Sequence, residues 1–508
     1  MSGLKNTFRV VLLSGILLCF WFIFHNTLTD TVFRYFSILL SLSLLVIGIL
    51  IFLENRHPAQ TLTWLIVFGA FPIIGFIFYF LFGRNYRKER IFRKKYLLDK
   101  EAYLQVQAKS KTNSNDQRKL EETIHQSKLF RLAERIGNSP ISFATETKIL
   151  TNGDETYFHI LEELDKAAHH IHIQYYIVRD DHIGREIKKM LIEKAKQGIK
   201  VRFLYDAVGS WKLSTTYITD LKNAGVETVA FGPVHLPFLN NKFNFRNHRK
   251  IIVIDGSVGF MGGLNIGDEY LGRNEVFGFW RDTHLMAKGE AVQTMQLIFL
   301  QDWYYSTDHS FLTDEYLSPS MPQEHTHGGV QIIAGGPDNE LAIIKSIFFC
   351  MITNAQKSVW IASPYFIPDE DIFQAMKIAA LSGLDVRLLV PKNPDKRIVF
   401  HASRSYFPEL LAAGVRIFEY KNGFMHSKLV IVDHEIASIG TANMDMRSFH
   451  LNFEVNAFLF QTRSTQRLVN DFLHDLHVSC ELHLDDFSKR KIRYKIMEST
   501  CRLLSPLL

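Results

Sequence analysis

His248-Arg-Lys-Ile-Ile-Val-Ile-Asp255 and the following Gly262-Gly-Leu-Asn265 are matched 178 residues later by His426-Ser-Lys-Leu-Val-Ile-Val-Asp433 and Gly440-Thr-Ala-Asn443. Both stretches read H-x-K-x4-D-x6-G-x2-N. The apolar quartets 251–254 and 429–432 are short, almost wholly β-branched and uncharged, which predicts a buried strand in each copy. Residues two apart on a strand face the same side, so His248 projects with Lys250 and His426 with Lys428. Asp255 and Asp433 complete the two catalytic motifs at an odd offset, where they turn elsewhere or end the strand; supporting the motif suits them better than touching substrate. A histidine beside a fixed cation and an amide donor suits chemistry at phosphorus, because lysine stabilises charge on phosphoryl oxygens and Asn265 or Asn443 adds a hydrogen bond. Brought together, the copies would set two His, two Lys and two Asn around one phosphate.

The repeat extends upstream of the motifs. Ile171-His-Ile-Gln-Tyr-Tyr-Ile, Gly198-Ile-Lys-Val-Arg-Phe-Leu and Ala224-Gly-Val-Glu precede the first. Val359-Trp-Ile-Ala-Ser-Pro-Tyr-Phe-Ile, Gly383-Leu-Asp-Val-Arg-Leu-Leu and Ala413-Gly-Val-Arg precede the second. The order of landmarks is kept, with helical stretches between strand-like ones. This predicts two similar α/β halves, 139–320 and 321–508, packed about a pseudo-twofold axis.

The first 83 residues are of another kind. Apolar runs occupy 10–24, 35–53 and 63–82. A bilayer core about 30 Å thick takes roughly 20 helical residues, which the second and third runs supply without a charge. The first, led by Lys5 and Arg9, also resembles a signal peptide but is followed by no small-x-small cleavage site. The count of membrane spans therefore stands at two or three. Arg84, Arg87, Lys88, Arg90, Arg93, Lys94 and Lys95 follow the third run, and the positive-inside rule puts everything after them in the cytoplasm. Residues 84–138 are then a basic juxtamembrane segment and linker, with no apolar residue between Lys109 and Gln117.

The formal charge of +6 resolves along the chain. Residues 84–100 carry +6, residues 1–83 carry +2 and residues 101–508 carry −2. The basic excess is a collar for anionic lipid at 84–95 and not a nucleic-acid face on the α/β halves. Four cysteines without a C-x-x-C pair give neither a disulfide framework nor a zinc or thioredoxin-like centre. No P-loop, G-x-S-x-G or H-E-x-x-H appears, so nucleotide hydrolysis, serine esterase and zinc protease chemistry lack support. His169, His170 and His172 lack zinc spacing and read as strand or surface residues. The basic stretch Lys489 to Arg502, interrupted by Ile492, Tyr494 and Ile496, reads as a packed helix with a solvated face, or one lying on anionic lipid.

The paired motifs resemble those of the phospholipase D superfamily. Together with the N-terminal runs, Asn265-Ile-Gly-Asp-Glu-Tyr-Leu and Gly440-Thr-Ala-Asn-Met-Asp-Met-Arg-Ser, they make the chain similar to the bacterial cardiolipin synthases from about residue 35 onward. The resemblance implies a phosphatidyltransferase of the bacterial inner membrane, multi-pass, with a cytoplasmic catalytic domain and no cofactor or metal. One histidine, His248, attacks the phosphate of a phosphatidylglycerol and expels glycerol; His426 serves as acid and then as base, while a second phosphatidylglycerol accepts the phosphatidyl group and cardiolipin forms. It further implies a carboxylate about thirty residues after each histidine to orient it. Asp282 and Glu454 lie 34 and 28 residues downstream of His248 and His426. Water or serine as acceptor would instead make a phospholipase D or a phosphatidylserine synthase; a nuclease shares the motifs but not the spans. A membrane scaffold would need decayed motifs, and both are intact.

Overall fold

A computed structural model gives the fold. It describes residues 127–505 except 233–243, 276–277, 318–325 and 340, together with 92, 95–101 and scattered positions between 35 and 67. The chain divides into two units, Met1–Asn85 and Tyr86–Leu508. The run 10–24 and most of 35–53 and 63–82 lie outside the described residues, as do 84–91 and the polar stretch 109–117. Described positions of the first unit are helical, and Tyr35, Leu42, Leu45, Ile49, Phe52 and Ile66 are exposed there. Among the described residues no helix is long and apolar enough to cross a membrane.

The second unit holds two sheets. Strands of the first half are β1 (Thr145–Thr151), β2 (His170–Tyr175), β3 (Lys200–Asp206), β4 (Glu227–Phe231), β5 (Ile251–Ile254), β6 (Val258–Gly262), β7 (Trp280–Arg281) and β8 (Thr283–Gly289). Those of the second are β9 (Gly329–Gly335), β10 (Ser358–Ala362), β11 (Phe366–Ile367), β12 (Asp385–Pro391), β13 (Arg416–Tyr420), β14 (Phe424–Met425), β15 (Leu429–Val432), β16 (Ile436–Gly440), β17 (Met444–Asp445), β18 (Glu454–Phe460) and β19 (Ser479–Leu482). The first sheet runs β1-β8-β6-β5-β2-β3-β4. The second runs β9-β18-β16-β15-β10-β12-β13-β19, the same order with one strand added at the far edge. In each, the middle strand pairs parallel on one side (β2 with β3, β10 with β12) and antiparallel on the other (β2 with β5, β10 with β15).

The motif quartets show why the sheets stack. Ile251 and Val253 join one core with Leu429 and Ile431, between the sheets. Their alternates face outward, Ile252 and Ile254 into the core under the first half's helices and Val430 and Val432 into that under the second's. A strand apolar on both faces needs cover on both, and the four-layer arrangement α/β/β/α supplies it. Outer helices start at side-chain caps: Asp181 accepts from Gly184 N before His182–Lys196, and Asp369 from Ile372 N before Glu370–Leu381.

The halves also exchange backbone. β7 pairs in parallel with β14, and Asn247 bridges to Phe453. In each exchange the residues just before a motif histidine run beside those just before a carboxylate of the other half. This reciprocity is what two like halves facing each other produce.

Candidate active site

His248 N donates to Phe453 O at 2.9 Å, and His426 N donates to Arg281 O at 2.7 Å. Each histidine is thereby set against the residue preceding the other half's carboxylate. The side chains follow: His248 Nδ1 meets Glu454 Oε2 at 2.9 Å, and His426 Nδ1 meets Asp282 Oδ2 at 2.6 Å. Downstream spacing assigned each carboxylate to its own half's histidine. The structure crosses them, because the backbone exchange carries each carboxylate into the opposite motif.

The two pairs differ in their supports. Glu454 also accepts from the Thr441 hydroxyl at 2.5 Å and the Asn452 amide at 3.1 Å. Asp282 accepts from Thr283 N at 2.8 Å and the Trp280 indole at 3.4 Å. Gly263, the counterpart of Thr441, is required by space: a Cβ there would lie 2.0 Å from Asp282 Oδ1. The Tyr176 ring lies 4.8 Å from that of His248, and the Trp280 ring 5.0 Å from that of His426.

Lys250 Nζ donates to His248 O at 2.8 Å, and Lys428 Nζ lies 3.0 Å from His426 Nδ1. Both lysines are buried. The asparagines are not alike. Asn265 spends its amide inside the first half, donating to the Tyr270 hydroxyl at 3.1 Å and accepting from Ile177 N at 3.2 Å. Asn443 Oδ1 is buried and has no hydrogen-bond partner. Asp255 and Asp433 sit at the far ends of β5 and β15 with positive φ, 53° and 55°. Asp255 gathers the backbone N–H groups of Ala168, His169 and His170 at 2.8 Å each; Asp433 gathers those of Gln356, Lys357 and Ser358.

Comparison with known proteins gives the family. A family model described as "Cardiolipin synthase, PLD-like domain" matches residues 160–303 and 348–476, which contain both motifs. A second, "Phospholipase_D-nuclease N-terminal", matches 41–84. A cardiolipin synthase of Geobacillus sp. (strain WCH70) is 60% identical over 99% of this chain and the whole of its own. One from Halalkalibacterium halodurans is 59% identical over the same shares. The chain belongs to the cardiolipin synthase family. In fold it resembles the phosphatidylserine synthase of Haemophilus influenzae Rd KW20, with a TM-score of 0.57 at 14% identity, over 74% of this chain and 99% of that one.

For a member of the cardiolipin synthase family the electrostatics are apt. Burial pushes His248 down to about 4 and His426 to about 3, with the neighbouring lysines acting in the same direction. Burial likewise lowers Lys250 to about 7 and Lys428 to about 8. Burial would raise Asp282, but His426 and Lys428 outweigh it and hold the carboxyl below its usual range; His248 and Lys250 do so for Glu454. The site thus concentrates basic groups whose charge is suppressed by burial.

Sequence reasoning missed the residues beneath His248. Its neighbour Arg249 donates to both oxygens of Asp302 at 2.7 Å and to Glu454 O at 3.1 Å. Asp302 also accepts from Gln174 and Asn247, and Lys95 Nζ lies 3.1 Å from it. Lys95 is fully buried, held also by Asp99 at 2.5 Å, and Phe92 packs edge-on against Phe453. The expectation that 84–95 faces lipid therefore fails for Lys95, which is turned into the catalytic unit. The other cations of the collar lie outside the described residues. His170 and His172 are buried around Gln296, and the latter stacks on Phe299.

Proposed function

We propose that the protein forms cardiolipin by moving a phosphatidyl group from one phosphatidylglycerol to another through His248. The crossed His–carboxylate pairs carry this reading. With Nδ1–H held by a carboxylate, each ring keeps Nε2 free to react. The His248 Nε2 lone pair bonds to phosphorus while the P–O bond to glycerol breaks and His426 Nε2–H protonates the departing oxygen. His426 next removes the proton from a second phosphatidylglycerol's hydroxyl; that oxygen bonds to phosphorus, the P–N bond breaks and His248 recovers its lone pair. Two lysines already balance two carboxylates, so a bound phosphodiester brings the negative charge that lets one histidine hold a proton. Lys250 and Lys428 bear on the phosphoryl oxygens. The unpartnered amide of Asn443, which can turn to present its NH2, adds a donor that Asn265 has already committed elsewhere.

The substrate dictates a membrane. The uncharged runs 35–53 and 63–82, the match at 41–84 and the exposed apolar helical positions of the first unit support an N-terminal anchor in the bacterial inner membrane. The cations at 84–94 support a cytoplasmic catalytic unit. Purified protein given labelled phosphatidylglycerol tests the reading: cardiolipin and glycerol are expected in equal amounts. Phosphatidic acid as sole product would mean water is the acceptor, and no turnover would overturn the transfer.

A further inference from the structure

The helix Ile492–Leu503 packs against the helix Arg397–Arg404 and turns Glu498 and Cys501 inward. On its opposite face Ile492, Ile496 and Leu503 recur at i, i+4 and i+11, a single stripe. They stand 71%, 60% and 81% exposed. A helix that merely covers a core turns its apolar stripe toward it; this one turns a second stripe outward. By the same helical period Lys491 and Lys495 flank the stripe on one side and Arg493 on the other. None of the three has a carboxylate within 4 Å among the described residues. Arg490 and Arg502, by contrast, are satisfied by Glu498 at 2.6 Å and Glu409 at 3.5 Å. The neighbouring helix adds Ile398, itself half exposed, and Lys396 and Arg397, which have no carboxylate within 4 Å among the described residues.

This surface is linked to the reaction site through the helix Arg397–Arg404. The residue before Lys396, Asp395, accepts from the Tyr365 hydroxyl, and Lys396 Nζ lies 5.1 Å from the Tyr365 ring. Tyr365 leads into β11, which pairs with β17 directly after Asn443. The outward stripe is therefore linked through one neighbouring helix to the strand pair that follows Asn443. Apolar side chains ringed by cations suit an interface whose interior is oily and whose surface is negative.

We infer that the face formed by Ile492, Ile496, Leu503 and Ile398 docks on an anionic bilayer, with Lys491, Arg493 and Lys495 at the headgroups. The docking rests on the reading that substrate is drawn from a bilayer, and it turns the side of the catalytic unit that carries Tyr365 toward the headgroup layer. To test it, p-benzoylphenylalanine is placed at Ile496 in the full chain, reconstituted in vesicles of phosphatidylglycerol with phosphatidylcholine and in phosphatidylcholine alone. Photolysis is expected to join position 496 to lipid in the anionic vesicles, while the same group at exposed Lys189 on helix His182–Lys196 stays free of it. Reversing Lys491, Arg493 and Lys495 to Glu should cut that cross-linking by about fivefold or more, since one such cation near an anionic surface is worth about that factor. In the reversed variant kcat/KM in vesicles should fall while turnover in detergent micelles is kept. Cross-linking to a second copy, or none at all with turnover intact, would overturn the docking. Lipid cross-linking with no cardiolipin formed would overturn the transfer reading and leave the docking standing.

Discussion

Gly263 and Thr441 hold the same place in the two motifs and serve their carboxylates in opposite ways. Thr441 gives Glu454 a hydroxyl donor, whereas Gly263 makes room for Asp282, whose carboxylate occupies the space of a Cβ. Gly263→Ala should therefore push Asp282 off His426 and lower kcat about 100-fold, the usual effect of an ångström-scale displacement in an active site. Thr441→Val should act on His248 instead and raise the Glu454 pKa, because a buried carboxylate loses a donor. The lysines give a pH dependence of definite sign. Lys250 and Lys428, lowered to about 7 and about 8 by burial, lose charge as pH rises through those values. The alkaline fall of kcat/KM, which reports free enzyme, should lie at lower pH than the alkaline fall of kcat, since bound phosphate raises both lysines. Superimposable limbs in the two profiles would contradict this.

At the scale of elements, much of the fold was legible. The quartets Ile251–Ile254 and Leu429–Val432 are apolar on both faces, which specifies strands buried on both sides, and the repeated landmarks predict two similar α/β halves, whose strand order only the structure gives. The motif residues themselves could be named from spacing alone. The partner of each histidine could not. His248 and Glu454 are 206 residues apart, His426 and Asp282 are 144 apart, and the backbone exchange that joins them leaves no local periodicity. Lys95 was misplaced for a different reason. Lysines are rarely buried, and the carboxylate that draws this one in, Asp302, lies on the helix Ala291–Thr307 far along the chain. Phe92 and Lys95 are thus part of the floor under His248. Lys95→Met should take one of two cations from buried Asp302 and, among the described residues, the only near one from half-buried Asp99, and destabilise the catalytic unit, read as a lowered unfolding midpoint. An unchanged midpoint would mean that Lys95 is not held there.

Over the whole molecule, the two halves are one site. Each supplies a histidine whose orienting carboxylate belongs to the other, so neither half carries a finished pair. Because both halves lie in one chain, mixing a His248→Ala chain with a His426→Ala chain should restore no activity; restoration would mean that pockets are shared between copies. In the proposed transfer Glu454 acts through His248 as nucleophile and Asp282 through His426 as acid–base, across the halves. The most direct test uses a phosphatidyl ester of p-nitrophenol, whose leaving group needs no acid, followed by a rapid denaturing quench and mass spectrometry. Asp282→Asn should release a burst of nitrophenolate and accumulate phosphatidyl-His248, while Glu454→Gln should give neither burst nor adduct. A burst in Glu454→Gln with the adduct on His426, or equal loss in both variants, would contradict it.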